Sequence, residues 1–313
     1  MKHTKHQDIN GWLIIDKPKG MTSTDVVNQT RRLFDANKNG HAGTLDPFAT
    51  GVLPIAFGEA TKLIAYVMDG SKEYEFTLKF GTATSTDDIE GDIVRSGGRI
   101  PSIDEITGIL PSFIGTIEQT PPAYSAIKID GKRAYDLARS GQAPVRPTRH
   151  IEIHSLILRN QKSADSFCFK VSCSKGTYIR ALGRDIALKL NTVGHLTELR
   201  RTKCSFFLSS DTILLENLKN IVYEGGRQDV LLPIETALRD IAALAVSAED
   251  AAKLRHGQGL SLKAYDVLQH QGDMMAAYDS SGLVALVRVE EKKISPIRVF
   301  NLFKKELKDV DYK

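Results

Sequence analysis

The sequence predicts an α+β fold built on an antiparallel or mixed sheet, followed by a smaller β-rich module. Three observations carry that reading. Glu73 to Phe80 and residues 167 to 173 alternate apolar and polar side chains with the period of half-buried strands. Thr22 with Asp25 and Ser102 with Glu105 have the spacing of capping boxes and mark two helix starts. Strands and helices then alternate irregularly, without the sustained βαβ units that a doubly wound parallel sheet needs. The chain of 313 residues allows one large or two unequal domains. With 42% hydrophobic and 26% charged residues it has a globular composition, which excludes a mainly disordered, collagen-like or coiled-coil chain.

Taken in order, Trp12 to Ile15 is a short apolar strand and Lys17-Pro18-Lys19-Gly20 a turn. The helix opened by Thr22 carries Val26, Val27, Thr30, Leu33 and Phe34 at helical spacing. Tyr74, Phe76, Leu78 and Phe80 share the inward face of the next strand, with Glu73, Glu75, Thr77 and Lys79 opposite. A second helix follows Pro101, and Ala134 to Ser140 form another that Gly141 terminates. Pro121, Pro122, Pro144 and Pro147 frame a basic excursion, about residues 122–150, which reads as an insertion. Strands are expected at 149–158 and 167–173. Lys175-Gly176-Thr177 then turns into a helix buried along Ile179, Leu182, Ile186 and Leu190.

The first domain is expected to occupy residues 1–240, with a soft boundary. Ser247 and Asp250 cap a helix ending near Gly257. Met274 to Tyr278, Leu283 to Val289 and Ile294 to Phe300 read as strands of a small β-barrel-like module at 245–304, and 305–313 as a frayed tail.

Net charge is only +4, but it is unevenly spread. Between 128 and 149 six basic residues face two acids, and between 170 and 203 eight face two, so the rest of the chain is net acidic. Such concentration suits a polyanion, although two solvated faces would give the same count. Cys168, Cys173 and Cys204 are odd in number and lack a C-x-x-C pair, which supports neither a disulfide framework nor a zinc finger and points to a reducing cytoplasm. The first apolar run is four residues long, too short for a signal peptide or a membrane span.

The motifs for nucleotide hydrolysis, dinucleotide redox chemistry, zinc proteolysis and the commonest serine hydrolases are missing. His150, Glu152 and His154 project from one strand face, but without a further ligand they read as a solvated edge, so no metal site is expected. The unusual segment is His41 to Leu53. Pro47 biases Asp46 towards an extended backbone, Gly43 and Gly51 bracket the loop, and no other acid lies between Asp35 and Glu59. On these residues alone Asp46 reads first as a turn aspartate.

GWLIIDKPKGMTS at 11–23, HAGTLDPFATGVLP at 41–54, GEATK at 58–62, KEYEF at 72–76, CSKGTYIRAL at 173–182 and HLTELRRT at 195–202 resemble, in order, the TruB family. Members are tRNA pseudouridine synthases that isomerise uridine 55 in the TΨC arm. The resemblance covers about residues 11 to 203, and the terminal module resembles the PUA domain usual in this family.

The resemblance implies a cofactor-free reaction in which a carboxylate acts on the nucleoside itself. It makes Asp46 that carboxylate, Arg180 its partner and Tyr74 a ring against the target base. Tyr178 and Leu199 line the base pocket, Lys62 and Asp88 match further substrate-side positions, and His41 supports RNA whose uridine has left the stack. Residues 122–150 fall where the family inserts a basic thumb. Lys132, Arg133, Arg146 and Arg149 there, with Arg200 and Arg201, are the expected phosphate contacts. The implied partner is the TΨC stem-loop of tRNA, met by a monomer; against a guide-RNA-dependent synthase of the related eukaryotic and archaeal type, the lack of extensions before residue 11 and the short tail favour a stand-alone enzyme without guide RNA. A non-catalytic RNA-binding protein on the same scaffold is the alternative. Two positions depart from the family pattern: Ser85 replaces the first acid of T-D-T-x-D, and Ser205 stands where a glycine is usual.

Overall fold

The structure is a computed structural model that describes residues 7–124, 128–129, 132–133, 147–291 and 293–302. Its centre is a mixed sheet. From one edge the strands run Ile213–Leu214, Gly11–Lys17, Thr50–Phe57, Gly194–Cys204, Lys72–Phe80, Ser166–Cys173, Arg149–Ser163 and Gly115–Gln119. Gly11–Lys17 with Ile213–Leu214 and Thr50–Phe57 with Gly194–Cys204 pair in parallel, and the other neighbours are antiparallel.

The alternation read from Tyr74 to Phe80 sets the inner face. Tyr74 lies between Val171 and Arg201 in register, and Phe76 between Phe169 and Leu199. Helix Ile179–Lys189 packs on this face through Ile179, Leu182 and Ile186. Helix Ser23–Phe34 starts at the expected capping box, with Asp25 N donating to Thr22 Oγ1 and Thr22 N to Asp25 Oδ2. Helix Ile103–Ile109 starts at Ser102 in the same way. The parallel pairing that brings 194–204 beside 50–57 needs a bare backbone at Gly51: its φ is +101°, and a Cβ there would lie 2.2 Å from Arg201 O.

Arg149–Ser163 is five residues longer than the sequence suggested and forms a hairpin with Ser166–Cys173. The expected helix at 134–140 lies outside the described residues. Within the basic excursion, Lys128–Ile129 pairs antiparallel with Lys132–Arg133.

A second sheet takes its strands in the order Ala242–Ala245, Met274–Asp279, Gly282–Val289, Lys293–Val299 and Leu260–Ser261, with helix Ala248–Arg255 packed against it. The three long strands fall within one residue of their expected limits, whereas the first and last were not foreseen. The two sheets share a core: Trp12, Ile14 and Phe207 join Leu238, Ala276, Leu286 and Phe300 in one buried cluster. The Trp12 indole N–H donates to Ile234 O at 3.2 Å.

Candidate active site

Asp46 stands on a loop pinned from both sides. The hydroxyl of Ser23, the first residue of its helix, donates to Leu45 O (3.1 Å) and accepts from Leu45 N (2.9 Å). On the other flank Lys17 is wholly buried, and its ammonium donates to Pro18 O, Met21 O and Pro47 O at 2.9, 2.7 and 3.2 Å. Burial pushes this ammonium down to about 8, while Asp46 opposes the fall by favouring the charged form. The two clamps leave the Asp46 carboxylate projecting into the cleft, 35% exposed.

Arg180 comes from the first turn of helix Ile179–Lys189, and its side chain is only 6% exposed. Its Nε lies 2.9 Å from Asp46 Oδ2, with the N–H directed off the oxygen, so that contact is one of charge; Nη2 donates to Asp46 Oδ1 at 3.3 Å. Nη1 lies 3.2 Å from Asp88 Oδ2 and donates to Thr86 O at 2.9 Å, and Nη2 also reaches Tyr124 O at 2.9 Å. A planar guanidinium can serve this many acceptors at fixed angles, which a lysine cannot.

Tyr74 lines the same cleft. Burial pushes its phenol up to about 12, opposed by Arg201, so the hydroxyl is neutral at physiological pH. His41 has its Nδ1 buried without a hydrogen-bond partner among the described residues, and burial, with Arg201 adding to it, holds the imidazole below its ordinary range and therefore uncharged. Tyr178 is fixed through its backbone, its N–H donating to the Gln119 side chain at 2.8 Å, while Arg149 stands 5.8 Å over its ring. These side chains line one open cleft of about 1350 Å³, together with Leu199 and Asp88. Such a volume admits a nucleotide with its neighbours.

The cleft therefore gathers Asp46, Tyr74, Arg180, His41, Asp88, Tyr178, Leu199 and Arg149. Three expected positions behave differently. Lys62 does not line the cleft: its ammonium donates to Glu59 (2.6 Å) and to Val299 O (2.7 Å), at the junction with the second sheet. Arg201 reaches the cleft wall but is 1% exposed and donates to Val52 O and Gly43 O, which corrects its reading as a phosphate contact. The register explains this, because Arg201 shares the inner face with Tyr74. Arg200 points the other way and forms a forked pair with Asp16 at 2.6 and 2.9 Å. Lys132, Arg133 and Arg146 have side chains outside the described residues.

Sequence reading missed Lys17, whose turn looked like a surface turn but buries its ammonium, and Asp87, Gln119 and Arg184, whose partners lie far along the chain. It also overstated the basic window at 170–203, where Lys170 pairs with Glu73, Lys175 with Asp69, and Arg184 with Asp87. Those acids lie outside the window itself. Among the described residues no three of His, Cys, Asp or Glu come together to hold a metal ion, and no helix is long and apolar enough to cross a membrane.

The mixed sheet has the fold of the pseudouridine synthases. A solved Cbf5-Nop10-Gar1 complex superposes with a TM-score of 0.71 at 26% identity, covering 93% of this chain and 84% of that one. Residues 31–179 match the TruB family pseudouridylate synthase N-terminal domain, and 180–239 the tRNA pseudouridylate synthase B C-terminal domain. The chain belongs to the TruB family and is an enzyme. It is 44% identical to tRNA pseudouridine synthase B of Caulobacter vibrioides, covering 96% of this chain and 99% of the relative. Identity to the Bradyrhizobium diazoefficiens protein of the same name is 48%, over 95% and 87%.

Proposed function

We propose that this enzyme isomerises uridine 55 in the TΨC loop of tRNA to pseudouridine. The relatives that carry the name tRNA pseudouridine synthase B support the substrate class. The single observation that carries the chemistry is the Asp46–Arg180 pair at the cleft mouth. In the reaction the N1–C1′ bond breaks, a C5–C1′ bond forms, the C5 proton leaves and N1 gains a proton, so nothing is consumed. Asp46, paired with and oriented by Arg180, acts on the nucleoside as nucleophile or base. The neutral Tyr74 hydroxyl is suited to moving the C5 proton. Because the target must leave the stack, His41 props the RNA at the vacated position, offsetting a few kcal/mol of lost stacking and pairing.

Phosphates are contacted by Arg149 and by Lys132, Arg133 and Arg146 of the basic thumb at about 122–150. The module at 245–304 acts as a PUA-like RNA-binding domain after a catalytic domain at 1–240. The enzyme works in the cytoplasm as a monomer, without guide RNA, metal or cofactor. The test is incubation of unmodified tRNA transcript with the purified protein in EDTA, followed by nucleoside analysis and mapping. Pseudouridine at position 55 alone, lost in Asp46→Asn with tRNA affinity within a few-fold, is the expected result. Turnover by Asp46→Asn near the parental rate would remove the assignment.

A further inference from the structure

One helical turn beyond Arg180, on the same face of its helix, lies Arg184. Its partners come from the two loops that Arg180 also uses. Nη1 donates to Asp87 Oδ2 at 3.1 Å and Nη2 to Thr120 O at 2.8 Å, while Nε is held by the neighbouring Asp185 at 3.0 Å. Asp87 sits between Thr86 and Asp88, both of which bind Arg180 directly. Thr120 opens the segment that delivers Tyr124 O to Arg180. The same segment is tied to the helix start by Gln119, whose side chain accepts from Tyr178 N and donates to Tyr178 O at 3.1 Å. Asp87 is nearly buried and has a left-handed backbone, φ 61°, so the 84–88 turn has little freedom to re-form around a missing partner.

We infer that Arg184 is a positioning residue for the reaction: it holds the 84–88 turn and the 119–124 segment at the distance from which their oxygens orient the Arg180 guanidinium towards Asp46. This rests on the active-site reading above. Arg184 itself does not line the cleft. Its loss would let the acceptors of Arg180 relax, turning the guanidinium relative to Asp46 without removing a group that touches RNA.

The experiment compares Arg184→Ala, Arg184→Lys, Asp87→Asn, Arg184→Ala/Asp87→Asn and Asp46→Asn by single-turnover conversion of tRNA transcript at saturating enzyme, with filter binding and Tm alongside. Arg184→Ala should slow the single-turnover step by roughly tenfold to a hundredfold while Kd stays within about threefold. Arg184→Lys should recover part of the rate, since it keeps the charge and loses the fork. The double variant should be no slower than Arg184→Ala, because Asp87 then no longer needs a cation. A parental rate for Arg184→Ala, with Asp46→Asn inactive, would overturn the positioning role and leave the active-site reading standing. Turnover by Asp46→Asn would instead remove the reading itself. Should Arg184→Ala not fold, Arg184→Lys decides alone: reduced rate at near-parental Tm supports the role, and a parental rate overturns it.

Discussion

Asp88 holds Arg180 from the nitrogen that Asp46 leaves free, its Oδ2 3.2 Å from Nη1, and at 4% exposure it is far more buried than Asp46. Its other oxygen, Oδ1, accepts from the Thr86 hydroxyl and, at 3.0 Å, from Glu90 N. One guanidinium thus joins a buried carboxylate to a half-exposed one at the cleft. Asp88→Ala should lower the single-turnover rate by about tenfold or more with little change in tRNA Kd, because at 4% exposure the deleted carboxylate acts mainly through Arg180. Asp88→Asn should be milder, since an amide oxygen can still accept from Thr86 and Glu90. Kd rising in step with the rate loss would contradict this.

The pH profile should carry the signature of Lys17 and not of Tyr74. An ammonium has three N–H bonds for three carbonyls, and a neutral amine has two, so deprotonation near pH 8 releases one anchor of the Asp46 loop. The single-turnover rate should therefore fall as pH rises through about 8, and a slower Lys17→Met variant should lack that limb. Stability moves oppositely. With its folded pKa below the unfolded 10.5, Lys17 raises native stability as pH climbs from about 8 towards 10.5, relative to Lys17→Met. Tyr74, raised to about 12, has the reverse sign: its contribution is complete below pH 10 and is lost as pH rises through 12. Chemical denaturation of parent and Lys17→Met across pH 7 to 11 reads the whole Lys17 limb and the onset of the Tyr74 loss.

Salt dependence separates buried arginines from those that meet RNA. Arg201→Ala should destabilise the fold by about 3 kcal/mol or more, because Val52 O and Gly43 O lose a charged donor. The slope of log K against log[salt] for tRNA should stay unchanged in that variant. Neutralising Lys132, Arg133, Arg146 and Arg149 should make the slope shallower by about 0.7 to 0.9 for each phosphate left without its cation.

Ser205 should be replaceable at a gain. Its φ is 55°, a left-handed conformation that costs a residue with a Cβ roughly 1 kcal/mol, and its amide donates to Ser71 O at 2.8 Å. Ser205→Gly keeps the amide and removes the strain, so Tm should rise by about 2 °C. An unchanged or lower Tm would show that the serine side chain, packed over Gly70, compensates for its backbone.

Local signals carried most of the fold. The strand at 72–80 was legible because alternation is a property of neighbouring residues, and the helices at 23 and 103 because a capping box spans four positions. Asp46 was legible only through resemblance, since a proline-braced aspartate in a loop has no local mark of chemistry. Arg201 illustrates what stayed hidden: whether a basic residue meets phosphate or carbonyl depends on register between strands far apart in sequence. Lys62 is similar, because its acceptor, Val299 O, lies in another sheet.

The shared core around Trp12 also fixes an order of events during synthesis. Trp12 leaves the ribosome more than 200 residues before its indole acceptor, Ile234 O, and its cluster is closed later still by Ala276, Leu286 and Phe300. At ~5 to 20 residues per second, the outer side of the first strand waits ~15 to 60 s for these neighbours. Late in that interval, once the strand at 194–204 has been made, the nascent chain carries an apolar strip beside a catalytic face whose residues are all present. Nascent chains stalled near residue 270 should accordingly bind trigger-type chaperones that released full-length protein does not, and a stop codon there should yield insoluble product in place of a trimmed enzyme.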